Sequence, residues 1–472
     1  MAIDLSKAFD TVNHTKLIAA LSTSSLHHNV IRWLSSYLRG RHAFCRYSEA
    51  TSTCHAVRAG VPRGSVISPI LFNFFVANYP ENVELHTTYA DDVHAAQSSI
   101  QPQEAADALT VHAESVGEWA EGRGLQISAP KSFVTLFTSD TNQSHLHPIV
   151  TLNNSPLPLE RHPKLLGVTF DTHFFFNQHV LTVKKKAAER LKILKALAGT
   201  NWGQQKETII MTYKALIWSV LSYAAPVWFP TVSTESTKAL QTIQNAAARI
   251  ATGCHQRASI GHLHAETQLL KVEQSLGLLC SQYLASALRP NHPSFQIVSQ
   301  QTSPTIKKHT LRSRYLPSVS PYLTGGTIDP LEYENIRNDL HHQTVQAAIQ
   351  NQTPNPVLQD IPPIVHPVEK TLPRAHRTAL SQLRSGYCKA LNSFQNLLNP
   401  STPITCPECD SGETHTTQHL FRCPTHPTDL CVEDLWLRPD LSAYFISTLL
   451  SFHYLPALPS PPPEPPPTPT VL

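Results

Sequence analysis

The chain has 472 residues, 41% hydrophobic and 15% charged, with a formal net charge of +3 and a pI near 8.3. This length allows two or three domains with a substantial core, and the apolar content is that of a globular protein. The charge balance is so nearly neutral that the whole-molecule field is a weak attractor of nucleic acid, which leaves that role to local basic clusters.

No stretch reaches the roughly 20 uninterrupted apolar residues of a membrane helix; Leu216 to Phe229 is the richest and is too short. Asp4, Lys7 and Asp10 break any apolar core of a secretory signal. An intracellular chain without a membrane partner is expected. Five cysteines, Cys45, Cys54, Cys254, Cys280 and Cys388, are scattered, as reduced and mostly buried thiols would be, and four more cluster near the C-terminus.

Only three residues precede Asp4, so the strand expected to carry it is short or lacks its first half, strands being typically about five or six residues long. Asn13 is a candidate N-cap for a helix through Leu17, Ile18 and Leu21. Val30, Ile31, Leu34, Tyr37 and Leu38 trace the apolar face of a second helix, closed by Gly40. From Arg39 to Arg63, Arg39, Arg41, Arg46 and Arg58 alternate with Phe44, Tyr47 and Val57 in strand-like sequence. That pattern fits either a solvated basic face or contact with phosphates. Ser68-Pro69 has the form of an N-cap followed by proline at the first helical position, opening an apolar helix from Ile70 to Val76.

Thr87-Thr88-Tyr89-Ala90-Asp91-Asp92-Val93-His94 favours extended backbone on both sides of an acidic turn. A hairpin here would present two carboxylates at its tip. Such a pair in a turn is commonly only solvated, and becomes a divalent-metal site if a third acid reaches the same place. Beyond it, Ala106, Leu109, Ala113, Val116 and Ala120 mark an amphipathic helix ended by Gly122 and Gly124, and Leu125 to Ile127 and Phe133 to Phe137 read as flanking strands. Leu165 to Asp171 has a strand-and-turn pattern. Val183, Ala187, Leu191, Leu194 and Ala198 line one helical face, with Lys184, Lys185, Lys186, Arg190, Lys192 and Lys195 around the rest. Further helical patterns cover Lys206 to Trp218 and Thr237 to Ile250. From Pro290 to Pro400 only helix-like islands at Tyr333 to Ile349 and Arg377 to Leu398 stand out, without recognisable chemistry. Leu455 to Leu472 is proline-rich and expected to be an extended, unpacked tail.

Near the C-terminus the spacing is Cys406-x2-Cys409-x9-His419-x3-Cys423. Two cysteines two apart followed by His and Cys supply four ligands for a tetrahedral, structural zinc, with His415, His426 and Cys431 as possible substitutes.

Four blocks occur in order: Ile3-Asp4-Leu5-Ser6-Lys7-Ala8-Phe9-Asp10, Gly60-Val61-Pro62-Arg63-Gly64-Ser65-Val66-Ile67-Ser68-Pro69, the acidic hairpin, and Gly124-Leu125-Gln126-Ile127-Ser128-Ala129-Pro130-Lys131-Ser132. Together they resemble the palm of a reverse transcriptase of the non-LTR (LINE-type, jockey-like) retrotransposons. The resemblance implies an α+β fold: an antiparallel palm sheet backed by helices (1–145, with the fingers missing), a primer-grip-like segment (146–180) and a helical thumb (181–290). A connector of unknown role (291–400), a zinc-knuckle-like module (401–435) and the proline-rich tail (455–472) follow. It further implies an RNA-directed DNA polymerase working by two-metal nucleotidyl transfer in target-primed reverse transcription, with an RNA template, a DNA primer and deoxynucleoside triphosphates. Its ribonucleoprotein would occupy nucleus and cytoplasm; the oligomeric state is open.

The same resemblance implies that Asp4, Asp91 and Asp92 hold two magnesium ions, with manganese as an alternative, and that Asp10 is a structural or capping acid. Lys131 would protonate the leaving pyrophosphate. Phe9 would lie under the sugar of the incoming nucleotide and exclude a 2′-hydroxyl, and Arg63 and Gly64 would contact nucleotide or template. The family carries glutamine where this chain has Arg63, and arginine offers only donors and a full charge. The fingers that supply triphosphate-binding cations are not found ahead of Asp4, so a truncated, weakly active or inactive polymerase is expected. The alternative is a catalytically dead remnant that binds nucleic acid through its thumb and zinc module.

Overall fold

The computed structural model describes residues 1–300 and 310–458, and the chain divides into two compact units, Met1–Phe174 and Phe175–Leu472. The proline-rich stretch beyond residue 458 lies outside the described residues. The boundary falls inside the segment expected at 146–180, and the segments expected at 181–290, 291–400 and 401–435 share the second unit.

The first unit is built on a four-stranded antiparallel sheet. Strands β1 (Ala2–Ser6), β2 (Leu85–Tyr89), β3 (Asp92–Ala96) and β4 (Gln126–Ile127) lie in the order β2-β3-β1-β4. Ile3, Leu5 and Val93 are buried against helices α1 (His14–Ser22), α2 (His28–Leu38), α3 (Ser68–Val76) and α4 (Pro102–Arg123). Asn13 caps α1 by accepting from the Lys16 amide at 3.1 Å. On α2, Leu34 and Leu38 are buried whereas Val30 is exposed. The cap of α3 is Ile67; Ser68 lies in the first turn, where its hydroxyl donates back to the Pro62 carbonyl at 2.6 Å. On α4, Ala106, Leu109, Ala113, Val116 and Ala120 are all buried, and Gly124, at φ 75°, forms the C-cap while Gly122 stays helical. Phe133 and Val134 form single bridges to Ala2 and Leu159 rather than a strand of their own. Residues 164–169 form a short hairpin.

The second unit is helical. Helix α5 (Asn177–Leu197) buries Val183, Ala187, Leu191 and Leu194 and leaves Lys185, Lys186, Lys192 and Lys195 exposed. The run Lys206–Thr231 is 26 residues long with a mean hydropathy of 1.2, so by length and composition it is long and apolar enough to cross a membrane, contrary to the expectation that no segment is. Its Ile209, Tyr213, Ile217, Leu221, Ala225 and Trp228 recur about every fourth residue and are buried, which is the pattern of a helix packed in a protein core.

The island expected at Arg377 to Leu398 is two helices, α6 (Arg374–Ser385) and α7 (Asn392–Leu398), separated by Gly386 at φ 77°. All twelve residues of α6 are buried, including three arginines. Arg374 donates to the carbonyls of Gly199, Gln204, Ile250 and Ala251, the last two ending the helix Thr234–Thr252. Arg377 forks the Glu207 carboxylate. Arg384 binds both Glu266, at 3.0 Å, and Glu369, and Lys206 completes the cluster at 3.3 Å from Glu266 and 3.1 Å from Glu369. Burial opposes ionisation of Glu266, but Arg384 and then Lys206 outweigh it and hold this carboxyl below its ordinary value.

Breaking a buried pair strands a charge. Arg384→Gln is therefore expected to destabilise the second unit by about 3–5 kcal/mol, read from urea unfolding of the full chain. A depressed carboxylate pKa contributes stability above the unfolded value and loses it as the pH falls. Unfolding midpoints should accordingly drop on acidification below about pH 4.5, and Glu266→Gln should flatten that dependence; an unchanged profile in the variant would exclude Glu266 as its source.

Candidate active site and metal centre

Pairing of β1 with β3 sets Ile3 opposite Val93 and Asp4 opposite Asp92. In β2 and β3, Tyr89 faces Asp92 across a turn of Ala90 and Asp91, with Ala90 at φ 54°. The acidic run is thus a hairpin, and it brings Asp91 and Asp92 beside the strand that carries Asp4. Asp91 and Asp92 are exposed and Asp4 is half-buried. A third segment closes the other side of β1: Ser128 N donates to Asp4 O at 2.8 Å, and Asp4 N donates to Ser132 Oγ at 3.1 Å. Ser132 Oγ in turn donates to Ser128 O. This wraps a 3-10 turn, Ala129–Lys131, beside the acid and leaves Lys131 Nζ 3.8 Å from Asp4 Oδ2. Ser132, fully buried, is the residue that holds this turn in place. Its block carried the signal, but not its role.

The neighbouring loop is organised by the chain itself. Gly60 has φ +86°, and a Cβ there would meet the Asp10 and Phe9 carbonyl oxygens at 2.8 and 2.9 Å. Glycine is needed because the loop packs against the turn after β1. Gly64, at φ +82°, faces open space. Arg63 is drawn to Asp10, with Nε and Nη2 at 2.9 and 2.5 Å from its two carboxylate oxygens. Both side chains are largely exposed, so this fork contributes little stability and can exchange for a stronger anion. Phe9 stacks on Phe72 at 4.3 Å between centroids, with an interplanar angle of 14°.

In the second unit, Cys406, Cys409, His419 and Cys423 converge, with one ligand atom from each lying within 4.8 Å of the others. Among the described residues no other group of three or more His, Cys, Asp or Glu side chains closes in this way, Asp4, Asp91 and Asp92 included. Three thiols and an imidazole suit a tetrahedral ion held wholly by protein, whereas hard cations keep water and substrate oxygens beside a few carboxylates.

The Cys406–Cys409 loop is folded by a Thr405–Thr414 bridge and by Cys406 N donating to Glu413 O at 2.9 Å. Glu408 N points at Cys406 Sγ from 3.4 Å. The Ser411 hydroxyl and amide pull the Cys409 thiol down to about 6, while burial pushes Cys406 up to about 11. His419 turns Nε2 toward Cys409 Sγ at 3.4 Å, and its Nδ1 is bound by Glu413 Oε2 at 2.8 Å. Of the substitutes, His426 is taken by Glu408 at 3.2 Å, His415 is buried with Nδ1 accepting from Asn392 N, and Cys431 is exposed. Glu413 and Glu408 went unnoticed in the sequence, although a carboxylate six residues before a ligand histidine is the kind of residue that orients one.

Residues 1–170 match the family described as "Reverse transcriptase (RNA-dependent DNA polymerase)". The chain is 28% identical over 325 residues to the Drosophila melanogaster protein named "Probable RNA-directed DNA polymerase from transposon X-element", a match covering 66% of this chain and 35% of that protein. It is 28% and 24% identical, over 235 residues, to the RNA-directed DNA polymerases from mobile element jockey of Drosophila funebris and Drosophila melanogaster, covering 48% of this chain and 25% of each. The chain thus spans about a third or less of the length of these relatives.

The Glu413 contact predicts that Glu413→Gln lowers metal affinity about 10–100-fold. Titrating the full chain with cobalt(II), whose visible absorption reports tetrahedral thiolate coordination, should yield one such ion per chain and the weakened variant. Wild-type affinity in Glu413→Gln would deny the carboxylate this positioning role.

Proposed function

We propose that the chain is the polymerase-bearing part of a non-LTR retrotransposon protein that copies RNA into DNA from a DNA primer. The observation that carries this reading is the pairing of Asp4 with Asp92 at the centre of the sheet, with Asp91 in the adjoining turn and Lys131 Nζ 3.8 Å from Asp4. The reaction is an in-line displacement in which a primer 3′-hydroxyl oxygen bonds to the α-phosphorus of a deoxynucleoside triphosphate and pyrophosphate leaves. Asp4, Asp91 and Asp92 would hold two magnesium ions, which supply activation of the hydroxyl and neutralisation of the phosphates.

The chain's other residues take up positions around that exchange. The Lys131 ammonium supplies positive charge and a proton to the departing pyrophosphate. Phe9, fixed by its stack on Phe72, presents a bulky edge under the sugar and disfavours a ribonucleotide. Arg63 exchanges Asp10 for a phosphate or template oxygen, and Gly64 leaves the approach to that loop clear. In domain terms the first 145 residues form the palm and 181–290 the thumb, whose exposed lysines on α5 suit the sugar-phosphate backbone. The Cys406, Cys409, His419 and Cys423 module holds a structural zinc.

Primer extension on an RNA template should require magnesium and deoxynucleotides and fall about a thousandfold in Asp91→Asn, the loss of several kcal/mol of charge stabilisation. Phe9→Ala should retain extension but admit ribonucleotides. Tight primer-template binding without any extension by the wild-type chain would instead favour a binding remnant without catalysis.

A further inference from the structure

The row of aromatic and cationic side chains leading out of α2 has no part in the chemistry above. Trp33 is 57% exposed, and its ring stacks on that of Tyr37 with centroids 6.0 Å apart. The Arg41 guanidinium lies over the same Tyr37 ring at 4.9 Å. Spaced at four and eight residues, the three side chains form a ladder along one helix face and just beyond its end. The ladder is anchored at one point, since the Tyr37 hydroxyl donates to Ser65 Oγ at 2.8 Å, in the loop that carries Arg63 and Gly64. The chain then enters a narrow two-stranded ribbon, in which His42 and Ala43 pair with Ala56 and His55, and Arg46 and Tyr47 pair with Thr51 and Ala50. Its strand residues are all exposed, with Phe44 at 59% and Tyr47 at 87%. Between Arg39 and Arg58 four arginines stand against a single acid, Glu49.

An isolated exposed aromatic needs no explanation. Three of them interleaved with cations, on a stalk tied to the nucleotide loop, are a different arrangement. Ring faces accept any base, and guanidinium groups neutralise phosphates, so the combination suits an unpaired strand better than a duplex, whose bases are already stacked. The excess of positive charge fits a polyanion.

We infer that the ladder Trp33–Tyr37–Arg41 and the ribbon carrying Phe44, Arg46 and Tyr47 bind single-stranded nucleic acid, with bases stacked on the rings and phosphates on the arginines. This rests on the reading of the chain as a nucleic-acid polymerase and gives that reading a track for the unpaired template.

The test uses the full chain and a short fluorescein-labelled oligouridylate, with oligothymidylate as the DNA arm, in anisotropy titrations over a range of salt. Trp33→Ala and Tyr47→Ala are each expected to weaken binding of either oligonucleotide about tenfold. Arg46→Gln should reduce the salt slope by about 0.7, the value for one single-strand phosphate contact. All three side chains are largely or wholly solvent-facing, and unchanged melting temperatures would verify that the variants fold. Wild-type affinity in both aromatic variants overturns the inference. So does equally effective competition by polyglutamate, which would assign the ladder to an acidic protein. Trp33-dependent binding by a chain that never extends a primer supports the track while overturning only the polymerase reading; extension with Trp33-independent binding does the reverse.

Discussion

Everything at the acidic site depends on the register between residues 2–6 and 92–96. Because side chains alternate across a strand, a slip of β1 by one residue would turn Ile3 and Leu5 away from the core that holds Val93 and carry Asp4 to the opposite face from Asp92. Each of those apolar residues is 3% exposed, and burial of one such side chain is worth about 1.5–3 kcal/mol. Against that stands one local cost: the two-residue turn needs a positive φ, and Ala90 supplies it at 54° for about 1 kcal/mol. The core therefore outweighs the strain several-fold, and packing on one face aligns the carboxylates on the other.

The second unit solves a different problem, that of an interior helix with three arginines. Arg374 is satisfied by four carbonyls, two of them at the C-terminal end of Thr234–Thr252, where the helix dipole is negative. Arg384 has Glu266, Glu369 and the Leu435 carbonyl as acceptors. Buried guanidinium groups are tolerable only when paired and hydrogen-bonded in this way, so each acceptor element must keep its position relative to α6. The cluster thus specifies an arrangement more than it adds stability.

What was legible in the sequence follows from this contrast. The hairpin, the helices at Leu17, at Ala106 to Ala120 and at Val183 to Leu194, and the Cys406–Cys423 spacing are local signals: periodicity, a turn, ligands close along the chain. The Ser68 cap failed because the helix starts one residue earlier than Ser68-Pro69 suggests, with Ile67 at the cap and Ser68 in the first turn, its hydroxyl donating to the Pro62 carbonyl. Helix α6 was invisible as a core element because its arginines and polar residues have the composition of a solvated face. Its burial is decided by Glu266, 118 residues away from Arg384, and no local pattern reports that partner. Cys45 and Cys54 were expected among buried thiols and are exposed because the ribbon that carries them has no face packed on the core. At the acidic site the acids themselves were legible, whereas Ser132 and the Asp10–Arg63 fork emerge only when distant segments meet.

The same long-range packing changes how the Cys and His module should be understood. A short spacing of ligands suggests a detachable knuckle. In the structure Leu420 and Phe421 belong to one core with Leu380, Leu383, Trp436 and Phe452, and Thr417 Oγ1 donates to the Leu383 carbonyl at 3.0 Å. The buried Glu408, between the first two cysteines, accepts from both the amide and the hydroxyl of Ser451. Binding an ion to ligands that are separated in the unfolded chain contributes its free energy to folding. Here that contribution cannot stay within the loop, because the loop's own apolar residues are completed by α6 and the segment near Phe452. An ion held by Cys406, Cys409, His419 and Cys423 would therefore fasten the core that surrounds the buried arginines and reinforce the ion-pair cluster there.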